Sequence, residues 1–424
     1  MIVIIGNSAA GIGCIEAIRQ NNKEVEITLI SDEKYHTYSR PGITYLLGNK
    51  INEEKMLYRP LDFYEKHNIK TLFSTKITKV DPAKKAVITE KGDEIAYDKL
   101  LVATGGTPFV PPITGKDNKA SVFSFTKWEE AEKLKELVKT KKRAVVIGAG
   151  MIGTKTVEGL SFIGCDVTVV ELGKNVLGLA LDSASSAMIE ARMKEKGINV
   201  RTNNEAVEIY GKDDVEGVQM RDGEDIPCDF VVMAVGVFPN TTIVKDTGVT
   251  INRGIVVNEK METSVSDIYA AGDCAEGYDA LAKIKRPIPI WPVAYAQGKT
   301  AGLSMLGISN DYKGAFPLNA IEFDGVPTIS MGVTNPPEDE EYELIVDDNS
   351  RDGVYKKIVL QNDVVKGAIL VGDVTRAGLI TGLIERQEKI TDYKDELLTN
   401  DLGFVQQTRT LRDNKLTQNT TWQD

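Results

Sequence analysis

Gly6, Ser8 and Gly11 occupy the three positions of the pattern G-x-G-x-x-G, with serine at the middle one, and Gly148, Gly150 and Gly153 repeat the pattern without substitution. Residues this small, at this spacing after an apolar run, suit the recognition of phosphate. They let the backbone turn tightly and come close to a pyrophosphate, and the following helix offers unpaired N–H groups and the positive end of its dipole. No basic side chain is needed. Ala9 and Ala10 keep the first turn equally lean, and Met151 and Ile152 open the helix of the second. A single degenerate copy is weak evidence, because strand–turn–helix junctions use small residues for packing alone. Two copies in one chain predict two dinucleotides on two similar units. Glu171 stands 23 positions after Gly148, about where a carboxylate meets the ribose 2′-hydroxyl of NAD and repels a 2′-phosphate. Lys174 is the one cation in the stretch 172–177, so NADH is expected over NADPH. At the corresponding place in the first copy stand Ser31 and Asp32; Asp32 fits the ribose-binding role and Ser31 fits it less well.

These residues need strands and helices to aim them. Ile2 to Ile5 and Ile27 to Ile30 read as buried strands around the first turn, and Ala144 to Ile147 and Val167 to Val170 around the second. After Asp32 come Tyr35, Tyr38, Arg40, Pro41 and Gly42, which read either as a loop and helix start lying along the cofactor or as a plain surface loop. Leu61 to Lys70 is expected to be a helix and Leu72 to Ile77 a strand, with Ile77 counted among the cofactor-binding positions. Val87 to Ile88 and Glu94 to Tyr97 suggest a small hairpin layer, and Leu100 to Ala103 a buried strand ending in Thr104 and Gly105.

Composition narrows the classes. The chain has 424 residues, 42% hydrophobic and 27% charged, enough for two or three globular domains with their own cores. A net charge of −11 argues against a nucleic-acid partner, since such binding rests on Lys and Arg neutralising phosphates. A strand predicted from residue 2 leaves no room for a signal peptide, and no apolar run approaches the about 20 residues of a membrane span, so a cytoplasmic location without membrane contact is expected. Cys14, Cys165, Cys228 and Cys274 are scattered without C-x-x-C or metal-ligand spacing, so no disulfide framework and no metal site is predicted.

The order Ala103-Thr104-Gly105, second fingerprint, Val235-Gly236, then Tyr269 to Asp273 resembles that of the pyridine-nucleotide-linked flavoprotein reductases, over roughly residues 1 to 380. The resemblance implies an α/β fold of two Rossmann-like dinucleotide-binding domains plus a C-terminal α+β domain. FAD would be held by residues 1–112 and 240–312, NAD by an inserted domain at 113–239, and the remainder would be 313–424. Pro108, Pro111 and Pro112 mark the first crossing and Pro239 the second. In such proteins Asp273 bonds the ribityl or pyrophosphate part of FAD, and Thr104, Gly105, Arg40 and Gly236 belong to the cofactor-binding positions. Hydride would pass between nicotinamide C4 and flavin N5, the protein stacking the rings and excluding water. Neither His36 nor His67 is required. Pro292, read as the first residue of a helix, leaves N–H groups at and after Val293 to face the anion that develops on the flavin.

Two departures direct the chemistry. Thiol-using members of the family carry a redox cysteine about ten residues beyond the first acidic position; this chain has Pro41 there. The helix of the NAD fingerprint commonly carries a glutamate two places after its last glycine; this chain has Lys155, either a catalytic cation over the flavin or a solvated helix residue. With the C-terminal segment, these features look like NADH:rubredoxin reductases and like the flavoprotein subunits that accompany carbon monoxide dehydrogenase, phenylglyoxylate dehydrogenase or tungsten aldehyde oxidoreductase. The implied partner is an iron–sulfur protein or subunit, in a hetero-complex or beside a homo-oligomer, docking on 313–424. A free-standing NADH oxidase and a non-catalytic redox-sensing flavoprotein are the alternatives.

Overall fold

The computed structural model describes residues 1–118, 120–391, 394, 397 and 398. Its helices are α1 (Ala9–Asn21), α2 (Ile43–Leu47), α3 (Phe63–Lys66), α4 (Trp128–Leu137), α5 (Met151–Phe162), α6 (Ser183–Glu195), α7 (Trp291–Met305) and α8 (Ala377–Arg386). They accompany two compact units, one of Met1–Gly178 with Ile189–Pro317, the other of Leu179–Met188 with the described residues from Leu318 on.

In the first unit Ile2–Ile5 is buried along its whole length, and such strands need neighbours on both sides. It pairs in parallel with Ile27–Ile30 and Lys99–Val102, and the sheet runs Ile268–Ala270, Lys99–Val102, Ile2–Ile5, Ile27–Ile30, Ile69–Leu72. A second parallel sheet has the same plan: Asn199–Arg201, Asp166–Val170, Arg143–Ile147, Phe230–Met233, Val122–Ser124. In each, the glycine turn leaves a central strand and its helix crosses to the next strand, as a right-twisted parallel sheet requires. Each sheet also has an antiparallel three-stranded layer, Ile77–Asp81 with Ala86–Thr89 and Glu94–Ala96, and Ala206–Tyr210 with Gly217–Met220 and Asp225–Pro227. The two chain crossings lie side by side as an antiparallel pair, Gly106–Pro108 against Val237–Pro239.

Two expectations shift here. The helix foreseen over Leu61 to Lys70 is the single turn α3, because Asn68 takes a positive φ of 47° and the chain turns into the strand Ile69–Leu72. The strand foreseen over Leu72 to Ile77 is interrupted at Ser74, also at positive φ, and Ile77 opens the antiparallel layer.

The second unit is a five-stranded antiparallel sheet in the order Leu318–Phe323, Val326–Gly332, Val364–Val371, Val354–Gln361, Glu343–Asn349, with α8 on it. Asn362 and Asp363, both at positive φ, turn the hairpin between Val354–Gln361 and Val364–Val371. Glu343–Asn349, next to the acidic stretch, was not foreseen as a strand; it is an edge, where charged side chains cost little. Asp182 of this unit accepts hydrogen bonds from Tyr355 Oη at 2.7 Å and Lys357 Nζ at 2.9 Å. Here residues 179–188 belong with the C-terminal segment, whereas the sequence assigned them to the 113–239 segment. The polar tail, rich in Thr, Asn and Gln and expected from that composition to be an arm or partly disordered, lies outside the described residues beyond Leu398, and with it the part past Leu402 expected to help dock the partner.

Candidate functional site

Gly6 has φ +122°, and a Cβ there would lie 2.0 Å from the Ala103 carbonyl oxygen; a Cβ on Gly11 would lie 2.1 Å from that of Gly6. The turn accepts only glycine at both places. Ser8 enters α1 in extended conformation without a side-chain cap. The Ile12 N–H makes the first helical bond, to the Ser8 carbonyl at 3.0 Å, which leaves the N–H groups of Ala9, Ala10 and Gly11 ahead of the ladder. No acidic residue occupies the first turn of α1, so the protein itself does not neutralise its positive end.

Helix α7 presses against α1, backbone to backbone. A Cβ on Gly298 would fall 2.0 Å from the Ala10 carbonyl, and one on Gly13 would fall 2.5 Å from that of Tyr295. Pro292 is the second residue of α7, one later than expected, and the Ala294 N–H makes the first helical bond, leaving the Trp291 and Val293 N–H groups free of the ladder. Gly272, at φ +81°, sits between the two helix starts: a Cβ there would touch both Ala10 and Ala294. Its N–H donates to Gln297 Oε1 at 2.9 Å.

Asp273 therefore stands beside two open helix N-termini. Burial pushes its carboxyl above the ordinary carboxylate value, with the Arg40 cation opposing and its own backbone N–H a further contact. Among the described residues its side chain has no other hydrogen-bond partner. His36 Nε2 and Thr37 Oγ1 are likewise buried without partners. They lie on the loop tied to the first turn through Asn7, which donates to the Tyr35 carbonyl at 3.2 Å and accepts from Tyr64 Oη at 2.6 Å. A glycine cradle, two unneutralised helix starts and a carboxylate bonded only to its own backbone N–H among the described residues fit a pyrophosphate with an attached polyol, as FAD has.

The loop after the second strand is more than surface. Arg40 donates to Glu33 at 2.6 Å, to Tyr38 Oη at 3.1 Å and to the Thr126 carbonyl at 3.1 Å; Tyr35 stacks on Trp128 with ring centroids 4.8 Å apart. Thus Arg40 braces the loop against the start of α4. Glu33, which sequence reasoning missed, anchors both Arg40 and Tyr38. Asp32 instead points outward and pairs with Lys127 at 2.8 Å. Ser31 is the structural counterpart of Glu171. Each directly follows the second strand and donates its N–H to the neighbouring strand, and each side chain accepts the N–H two residues on, Glu33 in one case and Gly173 in the other.

In the second turn Gly148 has φ +100°, and a Cβ on Gly153 would lie 1.8 Å from the Gly148 carbonyl. At Gly150 a Cβ would meet nothing within 4 Å, so the turn faces open space. The Thr154 N–H bonds the Gly150 carbonyl, leaving the N–H groups of Met151, Ile152 and Gly153 ahead of the ladder. Glu171 is held at the rim by the Ala149 N–H at 2.7 Å and the Gly173 N–H at 2.8 Å. A fixed carboxylate beside an open phosphate turn fits the adenosine ribose of NAD.

The remaining predicted residues divide. Thr104 Oγ1 donates to the Asn240 carbonyl at 2.6 Å and Asn240 N–H donates to the Gly105 carbonyl, so Thr104, Gly105 and Gly236 lie where the chain crosses between the two sheets. Ile77 is buried in its strand. Lys155 is neither solvated nor solitary: it pairs with Glu158 one turn on and lies over the Tyr45 ring, 3.3 Å from its hydroxyl. The three-residue spacing of Lys155 and Glu158 was the available signal for that pair. Pro41 is exposed in a short 3-10 turn, Arg40–Gly42. Cys14, Cys228 and Cys274 are buried, and burial raises all three thiols, Cys228 to about 12.

Comparison with known proteins fits this geometry. The sequence model of the pyridine nucleotide-disulphide oxidoreductase family matches residues 1–298, and that of the rubredoxin NAD+ reductase C-terminal domain matches residues 317–388. The chain is 34% identical to a nitrite reductase [NAD(P)H] of Bacillus subtilis over 87% of its own length and 45% of that protein's. It is 29% identical to the epsilon subunit of the NADH-dependent phenylglyoxylate dehydrogenase of Aromatoleum evansii, covering 85% of each. It is 32% identical to the NADH-rubredoxin oxidoreductase of Clostridium acetobutylicum over 78% of this chain and 81% of that protein. The crystal structure under that protein's name superposes with a TM-score of 0.76 at 28% identity, over 92% and 95% of the two chains. The chain spans about half the length of the first curated relatives it matches.

Proposed function

The chain belongs to the pyridine nucleotide-disulphide oxidoreductase family, with FAD and NAD(H) as its cofactors, and on that premise we propose that it passes electrons from NADH to an iron–sulfur protein. In this reading residues 1–112 and 240–312 hold FAD and residues 113–239 hold NADH. A bound flavin supplies the conversion of a two-electron hydride donor into one-electron transfer. The protein's own groups do the rest. The α1 N–H groups receive pyrophosphate, Asp273 accepts from a polyol hydroxyl, and the start of α7 lends a positive field where negative charge develops. Glu171 fixes the NADH ribose, and Arg40 holds the loop after the second strand in place beside the flavin site. Lys155, neutralised by Glu158 and laid on Tyr45, positions α5 against α2 and contributes no proton.

One observation carries the acceptor assignment: Pro41 stands where a redox thiol would, and the three buried cysteines are high-pKa thiols that form little thiolate at neutral pH. The acceptor is then met by the flavin, as the name of the Clostridium relative suggests for rubredoxin. The test is anaerobic reduction by NADH followed by mixing with rubredoxin or with dioxygen, before and after alkylation with iodoacetamide. Fast transfer to rubredoxin, slow reoxidation by dioxygen and indifference to alkylation are expected. Fast reoxidation by dioxygen with no transfer to rubredoxin would install the NADH oxidase reading; loss of activity on alkylation would return a thiol to the mechanism. A cytoplasmic location goes with the same proposal.

A further inference from the structure

The hairpin of Ala275–Asp279 and Ile284–Arg286 leaves the flavin site at Asp273 and returns to it at Pro292. Its tip carries exposed Lys283 and Lys285, and exposed Lys260 and Lys313 flank it. Lys313 is brought there by the bridge of Ala315 to Asp279, and Lys260 by the side of Met261, which with Tyr278 and Lys285 lines one shallow depression. None of the four lysines has a carboxylate within ion-pair distance among the described residues; Lys285 Nζ donates to the Val257 carbonyl at 2.7 Å instead. Against them stand two exposed acids, Glu259 and Asp311. Arg286 is spent on Asp279, which is fully buried, at 2.6 Å.

That last pair makes the patch rigid. Asp279 Oδ1 also accepts the N–H groups of Leu281 and Ala282, each at 2.9 Å, so the tip is held from inside and its lysines are presented in a fixed frame. Between the cations Tyr278, directly opposite Lys285 in the hairpin and on the same face, is 38% exposed, an apolar centre inside a charged rim, while Ile284 lies on the other face of the ribbon with Asp279. The chain as a whole carries −11, so general attraction of an acidic protein is excluded and a local reversal of sign is what such a partner could use. Five strand residues separate Asp273 from the tip, about 17 Å at the usual rise. A protein seated along the hairpin therefore lies within about that distance of Asp273.

We propose that this hairpin, with Lys260, Lys283, Lys285 and Lys313 around Tyr278, is the docking surface for an acidic iron–sulfur protein. The sequence alone pointed to residues 313–424 for that role; the charge pattern favours the flavin-binding segment 240–312, with Lys313 at its edge. The proposal rests on the electron-transfer reading above, and the experiment separates the two.

The double variant Lys283→Glu/Lys285→Glu and the single variant Lys313→Glu are compared with the unmodified protein. NADH-dependent reduction of ferricyanide and of an acidic rubredoxin is followed as ionic strength rises. Expected are unchanged flavin content and ferricyanide rates, a KM for rubredoxin at least tenfold higher in the double variant and severalfold higher in the single one, and a flattened salt dependence. Unchanged KM and salt slope in both variants would overturn the docking site while leaving the electron-transfer reading intact. If the unmodified protein reduces ferricyanide but no rubredoxin, the electron-transfer reading fails and the docking site falls with it. Should the double variant lose flavin, Lys313→Glu and Lys260→Glu, both outside the hairpin, decide by the same criterion.

Discussion

The two glycine turns share a backbone and differ in their surroundings. Around Gly6 the space is closed: α7 meets the carbonyl of Ala10 at Gly298, Asn7 is tied to Tyr35 and Tyr64, and the loop behind it is bolted to α4 through Arg40. In the second turn Gly148 and Gly153 are set as tightly as Gly6 and Gly11, but at the middle position, Gly150, nothing lies within 4 Å of a would-be Cβ, and Glu171 waits at the rim on two backbone N–H groups. Closure suits a group that stays, and openness suits one that must leave after each turnover. In the function proposed above, the same fingerprint serves once as a resident site and once as an exchange site, and the distinction lies in residues outside it.

The sharpest way to break that comparison is to add bulk at the helix contact that closes the first turn and at the open position of the second. Gly298→Val drives a side chain into the Ala10 carbonyl, an overpacking that costs about 3 kcal/mol and separates α1 from α7. Loss of flavin and a lowered melting temperature are expected, read from bound flavin per protein and thermal unfolding. Gly150→Ala should keep full flavin and shift KM for NADH no more than severalfold. Equal flavin retention in the two variants would erase the difference between closed and open sites.

Next in size is Glu171→Ala. Removing a charge-assisted acceptor costs about 1.5–3 kcal/mol, roughly 10- to 150-fold in kcat/KM for NADH, with flavin content unaltered. Replacing Leu172 by arginine in that background should bring NADPH up. Equal turnover of NADH and NADPH by the unmodified protein would count against the assignment of Glu171.

Asp273→Asn should move two readouts in opposite directions. The buried carboxyl titrates above its unfolded value, chiefly by desolvation. A raised carboxyl pKa means that the folded apoprotein holds its proton longer than the unfolded chain, so its stability falls as pH climbs from the unfolded pKa through the folded one. The amide removes that slope and should stabilise the flavin-free protein above the carboxylate range. It should also weaken flavin retention severalfold, because an acceptor for a hydroxyl is halved. A variant that retains flavin unchanged and shows the same pH slope as its parent would remove Asp273 from the site.

Much of this was legible. The near-continuous apolar strands, the spacing of both turns and the position of Glu171 follow from period and composition, because a parallel sheet and a phosphate turn leave few choices of residue. What was not legible depends on distant contacts. Arg40 finds Glu33 and Thr126, Lys155 finds Tyr45, and α7 finds α1 through glycines nearly 300 positions apart; no local pattern announces such partners. The single-turn α3 shows the same limit: a helical run of residues yields where Asn68 must turn the chain into a strand that the sheet requires.

The smallest expected effect concerns the residue the sequence favoured for the flavin ribose. Asp32 is exposed and reaches Lys127 across an interface open to solvent, where such pairs are typically worth well under about 1 kcal/mol. Asp32→Ala should therefore shift stability by about 0.5 kcal/mol or less and leave flavin affinity as it was. Ser31 is different. It is buried, follows its strand as Glu171 does, and its hydroxyl already accepts the Glu33 N–H at 3.2 Å, one link from the carboxylate that holds Arg40 and Tyr38. Ser31→Val adds bulk at a buried position and leaves that N–H without its acceptor, the latter at a cost of about 1–3 kcal/mol, and should loosen both the loop and the flavin behind it. Measuring flavin dissociation for the two variants decides the matter: weaker retention in Asp32→Ala than in Ser31→Val would restore the aspartate to the ribose and undo the structural equivalence of Ser31 with Glu171.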